Sequence, residues 1–170
     1  LTSRFRWGES ILAPAIRVIR ATPVVCFILL LYLWVNRTRI PGVVSALMVL
    51  PVIWGNLDAG LRSTDGQLLE LARAYRFSHW KTLRLVYLPS LKPYLLSALP
   101  TAMGLAWKSG VAAEVLCLPR PGIGTEINHA KQAFETADLF AWTAVVICLS
   151  LLMERFLTRL IQRRREGAAA

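Results

Sequence analysis

The sequence predicts an all-α integral membrane protein with about four transmembrane helices, and three observations predict it. Of the 170 residues, 55% are hydrophobic, and the mean hydropathy is +0.49. A solvated globular surface needs more polar residues than that. Four stretches, 21–36, 40–57, 93–107 and 139–153, contain no charged residue. They are apolar all round, whereas the helices of a soluble bundle carry a polar stripe. The charges, 20 Lys+Arg against 10 Asp+Glu, fall between these stretches. That placement speaks for the basic loops of a membrane protein and against nucleic-acid binding.

In chain order, residues 1–20 carry Arg4, Arg6, Glu9, Arg17 and Arg20. They lack the apolar core and cleavage site of a signal peptide. Because the chain opens on Leu1, it is read as a fragment whose upstream part is absent. Spans are expected at about 19–36, 40–58, 93–116 and 138–158. Their uncharged cores are shorter than a full crossing of about 20 residues, so snorkelling Lys and Arg stems must extend them. Trp34 and Trp54 lie near span ends, where interfacial aromatics gather, and a core role fits them equally well. In the third span Ala98, Ala102, Ala106 and Gly110 recur every four residues, forming a ridge on which another helix backbone can approach closely.

Loop charge sets the expected orientation. Segments 1–20, 58–92 and 154–170 hold four, six and five Lys/Arg, against four on the other side: Arg37, Arg39, Arg120 and Lys131. The positive-inside rule places both ends of the chain and the loop at 59–92 in the cytoplasm.

That loop is itself patterned. Thr64 followed by Gln67 is a capping box that starts a helix near Asp65. Leu68, Leu69, Ala72 and Tyr75 then fall on roughly one face. Ser78 is a second N-cap, opening a short amphipathic helix with Trp80, Leu83 and Tyr87. Pro89 and Pro93 are expected to punctuate the entry to the third span. The apolar faces need a cover, which a partner protein or the bilayer surface would supply equally well.

The segment ELARAYRFSHWKTLRLVYLP resembles the EAA loop of ABC-importer permeases. In that motif Glu-Ala-Ala is followed by three residues, Gly, nine residues, Ile, one residue and Leu-Pro. Here Glu70, Leu71 and Ala72 take the first three places, Arg76 stands at the glycine, Val86 at the isoleucine, and Leu88-Pro89 closes the motif. The resemblance extends over nearly the whole chain and is strongest to the nitrate/sulfonate/taurine-type branch. It implies a type I ABC-importer helical bundle, N-terminally truncated, in the bacterial cytoplasmic (inner) membrane. It also implies an ATP-binding subunit dimer, a second permease copy, an extracytoplasmic solute-binding protein, and a small cargo such as a sulfonate, nitrate, taurine or a vitamin precursor. Carried over position by position, the ATPase-contact surface is Glu70, Ala72, Tyr75, Arg76, Phe77, Ser78, His79, Trp80 and Leu83. A glycine at position 76 would allow a left-handed turn. Arginine there costs about 1 kcal/mol or more, so either the turn differs or Arg76 adds a contact.

Lys108 and Glu114 lie in or near the third span and are candidates for the translocation pathway, where Lys108 could attract an anionic cargo; the alternative is a structural pairing or snorkelling toward an interface. Six positions apart, they lie on different helical faces and are not expected to pair. The segment PRPGIG after the third span reads as a turn, either contacting a solute-binding protein or simply connecting two helices. Cys26, Cys117 and Cys148 show no CxxC or Cys/His spacing and read as packed thiols. Glu126 with His129 is no metal constellation. No GxxxxGK[ST], GxSxG or HExxH occurs, so neither ATP binding by this chain, nor enzyme activity, nor a cofactor is expected. The rival reading is a membrane protein whose basic loop recruits a cytoplasmic partner or anionic lipid without transport.

Overall fold

A computed structural model describes the backbone of residues 2–166 and the side chains of 12–162. Among the described residues eight α-helices follow one another: α1 (Thr2–Ala21), α2 (Val24–Tyr32), α3 (Ile40–Arg62), α4 (Gly66–Ala74), α5 (His79–Thr82), α6 (Leu88–Cys117), α7 (Ile123–Gln132) and α8 (Thr136–Glu166). A π-helical turn, Leu83–Tyr87, joins α5 to α6. Among the described residues there is no strand.

The helix α6 is the hub, packed against α2, α3, α7 and α8. Its small-residue ridge is why. Ala98 and Ala102 are buried, and the row continues up the helix through Ser109, Ala113 and Cys117. On this ridge α3 comes close enough for the Ser45 hydroxyl to donate to the Ala106 carbonyl at 2.8 Å. A Cβ on Gly110 would stand 2.9 Å from the Ser45 Oγ, and one on Gly60 2.9 Å from Leu91 Cδ2. At one end of this pair Ile28, Ile40, Val44, Ala113 and Cys117 form the best-buried apolar cluster. Burying an aliphatic side chain of this kind contributes about 1.5–3 kcal/mol. Beside it, α1 is tied to α3 by Arg20, whose guanidinium donates to the Pro51 carbonyl at 2.9 Å.

Among the described residues two helices, α3 and Thr136–Gln162 of α8, are long and apolar enough to cross a membrane. A third crossing is reached if the bent pair α1–α2 counts as one. The expected span at 19–36 is not one straight helix, because the chain turns through 102° between α1 and α2. Pro23, at the N-cap of α2, has no N–H with which to carry α1 onward. The expected third span lies within α6, whose 30 residues reach about 45 Å. Pro93, Pro100, Lys108 and its small residues keep it out of the helices apolar enough to cross by composition alone. Pro89 lies in the first turn of α6 and marks its entry as expected, whereas the helix passes through Pro93, and through Pro100, without ending. The π-turn just before Pro89 shifts the bonding pattern to i→i+5, with Leu88 N–H donating to the Leu83 carbonyl. Such a shift is how a helix accommodates a residue that lacks a donor.

Candidate functional site

The loop between α3 and α6 is built from local chemistry. Thr64 turns its hydroxyl back to the Gly60 carbonyl, so Asp65 rather than Thr64 caps α4, its carboxylate accepting from Gln67 N–H at 2.8 Å. At the far end of α4, Phe77 N–H donates to the Ala72 carbonyl at 2.9 Å and Arg76 N–H to the Arg73 carbonyl at 3.0 Å. These are the paired 6→1 and 5→2 bonds of a Schellman motif. The motif requires a left-handed residue at its penultimate position, and Arg76 is that residue, with φ of 50°. The turn glycine would make is thus made with arginine. Ser78 then caps α5, as its position predicts, by accepting from Lys81 N–H.

The two short helices divide their side chains sharply. Ala72, Thr82 and Val86 are buried within the chain, and Leu69 is half-buried. Leu68, Leu71, Tyr75, Trp80 and Leu83 are exposed, Tyr75 at 70% and Trp80 at 73%. Phe77 sits half-buried between them. Its ring lies 6.4 Å from that of Tyr75, and the Lys81 ammonium stands 4.4 Å from the Phe77 ring centre. Glu70, Arg73, Arg76 and Arg84 are exposed around this surface. Aromatic anchors ringed by charge are the composition of a docking patch, and contiguous exposed apolar groups of this size call for a cover.

At the other end of α6, Glu114 has a structural partner. Its carboxylate accepts from Gly124 N–H at 2.9 Å, satisfying one of the free donors in the first turn of α7. Asn128 donates to the Val115 carbonyl at 2.8 Å. Thr125, fully buried, donates to the Pro119 carbonyl at 2.6 Å. A Cβ on Gly124 would lie 2.5 Å from Glu114 Cβ and 2.7 Å from the Val111 carbonyl and the Val115 nitrogen. The PRPGIG segment is therefore an anchored turn and helix start, pressed onto α6. Lys108 stands apart from this, exposed on the wall of a cavity of about 350 Å³ between α6 and α8.

With this geometry in view, comparison with known proteins is decisive. Residues 2–166 match the family described as binding-protein-dependent transport system inner membrane component. The chain belongs to that family. It is 31% identical over 166 residues to the riboflavin transport system permease protein RibX of Chloroflexus aurantiacus, covering 92% of this chain and 61% of RibX. It is 27% identical to the putative aliphatic sulfonates transport permease protein SsuC of Bacillus subtilis, and 29% identical to the taurine transport system permease protein TauC of Escherichia coli, covering 92% of this chain and 56% of the relative in each case. The chain thus spans about three fifths of the length of these permeases. The family is one of transport permeases, not enzymes.

In this chain, Tyr75, Arg76, Ser78, His79, Trp80, Leu83 and Glu70 lie exposed on one loop, whereas Ala72 is buried beneath it and offers no side chain outward. Sequence reasoning grouped Leu68 with Leu69 and Ala72. The structure splits them: Leu68, Leu71 and Tyr75 point outward, and Leu69 and Ala72 inward. The i, i+3, i+7 spacing of the outward set was the available signal. Lys108 and Glu114 are not brought together, since the Glu114 carboxylate is engaged by α7. Among the described residues no group of three or more His, Cys, Asp or Glu could hold a metal ion. Glu126 and His129 form only a pair at 3.8 Å.

Proposed function

We propose that this chain is the transmembrane permease part of an ATP-driven importer of a small solute, and that the loop at 59–92 is its coupling element. The observation that carries the reading is the exposed apolar surface of Leu68, Leu71, Tyr75, Trp80 and Leu83, presented on a capped and Schellman-closed pair of short helices in a chain of the permease family. On this reading the loop faces the cytoplasm, as its six Lys/Arg suggest, and inserts into a cleft of a separate ATP-binding subunit. Tyr75 and Trp80 are the anchors, and Glu70 pairs with a basic residue of that subunit. ATP closes the subunit dimer, and the closing motion reaches α6 through α5 and the π-turn. A second permease copy and a solute-binding protein complete the assembly.

The test is co-purification of the full-length permease in detergent with its neighbouring ATP-binding protein. The wild type is compared with a Glu70→Arg/Trp80→Ala double variant. Association with stimulated ATP hydrolysis for the wild type, and at least tenfold weaker association for the variant, is the expected result. Equal binding by the variant, or binding only to anionic vesicles and not to the ATPase, would overturn the coupling role in favour of lipid recruitment.

A further inference from the structure

The turn that joins α2 to α3 carries an amphiphilic patch that neither the loop at 59–92 nor the α6 packing uses. Leu33 and Trp34 are exposed at 73% and 84%, so neither takes a core place within the described chain. Just after them Asn36 closes a tight turn. Its side-chain oxygen accepts from the Thr38 N–H at 3.2 Å and from the Thr38 hydroxyl at 3.1 Å, and its carbonyl accepts from the Arg39 N–H at 2.9 Å. This bonding fixes Arg37 and Arg39 two residues apart on one short turn. Both are exposed, and among the described residues neither enters an ion pair. The Arg37 guanidinium stands 5.0 Å from the Tyr32 ring centre, a cation–π contact that leaves its N–H groups without an acceptor. No Asp or Glu occurs between Glu9 and Asp58. Depth in the membrane follows from α3. Its 23 residues rise about 35 Å, against a hydrocarbon core of about 30 Å, so its N-cap, Arg39, stands in a headgroup layer. The helix α2 packs back along α3 through Ile28, Ile40 and Val44, while Leu29, Leu30 and Leu33 are exposed. Leu29 and Leu33, one helical turn apart, make an apolar strip that runs from the arginine turn toward the membrane interior.

We propose that this patch binds an anionic phospholipid. Its phosphate is taken by Arg37 and Arg39, its glycerol region lies against Trp34, and an acyl chain follows Leu33 and Leu29. Guanidinium donors match phosphate oxygens in geometry and charge, and an indole suits the boundary between headgroup and chain. A zwitterionic lipid would bring its own cation against two arginines that no nearby acid in the sequence offsets. A free phosphate would leave Trp34 and the leucines uncovered. A water-soluble partner could meet the arginines but would not follow the strip below the headgroup layer. A phospholipid supplies the anion and the chain in one molecule. The inference needs the membrane crossing of α3 and not the coupling role of the loop at 59–92.

The experiment reconstitutes the full-length permease in nanodiscs of phosphatidylcholine and phosphatidylglycerol, with bromine on the acyl chains of one lipid or the other. Quenching of Trp34 fluorescence is read as the difference between wild type and Trp34→Phe at each bromolipid fraction. Brominated phosphatidylglycerol is expected to quench Trp34 at about tenfold lower mole fraction than brominated phosphatidylcholine, the sum of two basic residues near a charged surface. Arg37→Gln and Arg39→Gln are each expected to cut that preference about threefold, and the double variant to abolish it. Arg37→Lys and Arg39→Lys are expected to keep most of it, which separates charge from the fold of the turn. Arg155→Gln, at an exposed position on α8, is expected to leave it unchanged. Equal quenching by the two lipids in the wild type, or a preference that survives in the double variant, would overturn the site. Quenching by neither lipid would overturn it as well and assign the patch to a protein cover. Loss of the preference on adding inorganic phosphate at constant ionic strength would overturn the lipid in favour of a free anion.

Discussion

Replacing Arg76 with glycine should tighten the 59–92 loop. Arg76 holds φ at 50°, a conformation that costs an L-residue about 1–2 kcal/mol and glycine nothing. Glycine returns part of that gain through the greater freedom of the opened chain, about 0.5–1 kcal/mol. The Arg76 side chain is exposed and makes no hydrogen bond or ion pair among the described residues, so nothing else is lost within the chain. The net gain is about 1 kcal/mol, or about fivefold in the opening equilibrium of the Schellman turn. Hydrogen exchange at the Arg76 and Phe77 amides, which form its two closing bonds, reads this directly: exchange should slow about fivefold in Arg76→Gly. In Arg76→Val, whose branched side chain tolerates positive φ worst, exchange should quicken. Unchanged or faster exchange in the glycine variant would refute the strain argument. Association with the ATPase is a separate readout. A glycine variant that is stiffer but binds more weakly assigns the Arg76 guanidinium to the partner contact.

Three further outcomes follow from the packing of α6. Gly124→Ala should destabilise the junction of α7 with α6 by about 1–3 kcal/mol, because its Cβ meets backbone at 2.7 Å; Gly42→Ala, with nothing within 4 Å, is the neutral control, and thermal unfolding in detergent compares the two. Glu114→Gln, which loses the charge from the cap on Gly124 N–H, should weaken that junction by about 1 kcal/mol, read as faster proteolysis within 118–135 with no change in solute KM. Gly110→Ala should force Ser45 from its bond to the Ala106 carbonyl, so thermal unfolding of Gly110→Ala, Ser45→Ala and the double variant should show the double variant less destabilised than the sum of the two.

What was legible in the sequence is what depends on neighbours along the chain. Ser78 caps its helix because a hydroxyl reaches an amide three residues on. The ridge from Ala98 to Gly110 needs only helical periodicity to be seen, and it does carry α3. The left-handed requirement at position 76 was legible too, although not that arginine would meet it. The cap at Asp65 was missed by one residue because Thr64 and Asp65 both have capping chemistry, and the choice depends on the Gly60 carbonyl. Pro23 signalled the bend between α1 and α2, but an uncharged run hid it. The partner of Glu114 was beyond local reasoning, because it lies across a turn on α7.

From His79 to Cys117 the chain runs as one uninterrupted helical rod, α5, the π-turn and α6 in series. By helical rise it is about 55 Å long. Trp80 sits at one tip and the Glu114 clasp on α7 near the other. Such a rod is a lever whose fulcrum is the ridge against α3. A tilt of about 5° about this fulcrum, which lies about 20 Å from the far tip, moves that tip by about 2 Å. On the coupling role proposed for the loop, one helix carries its motion from Trp80 to the clasp on α7.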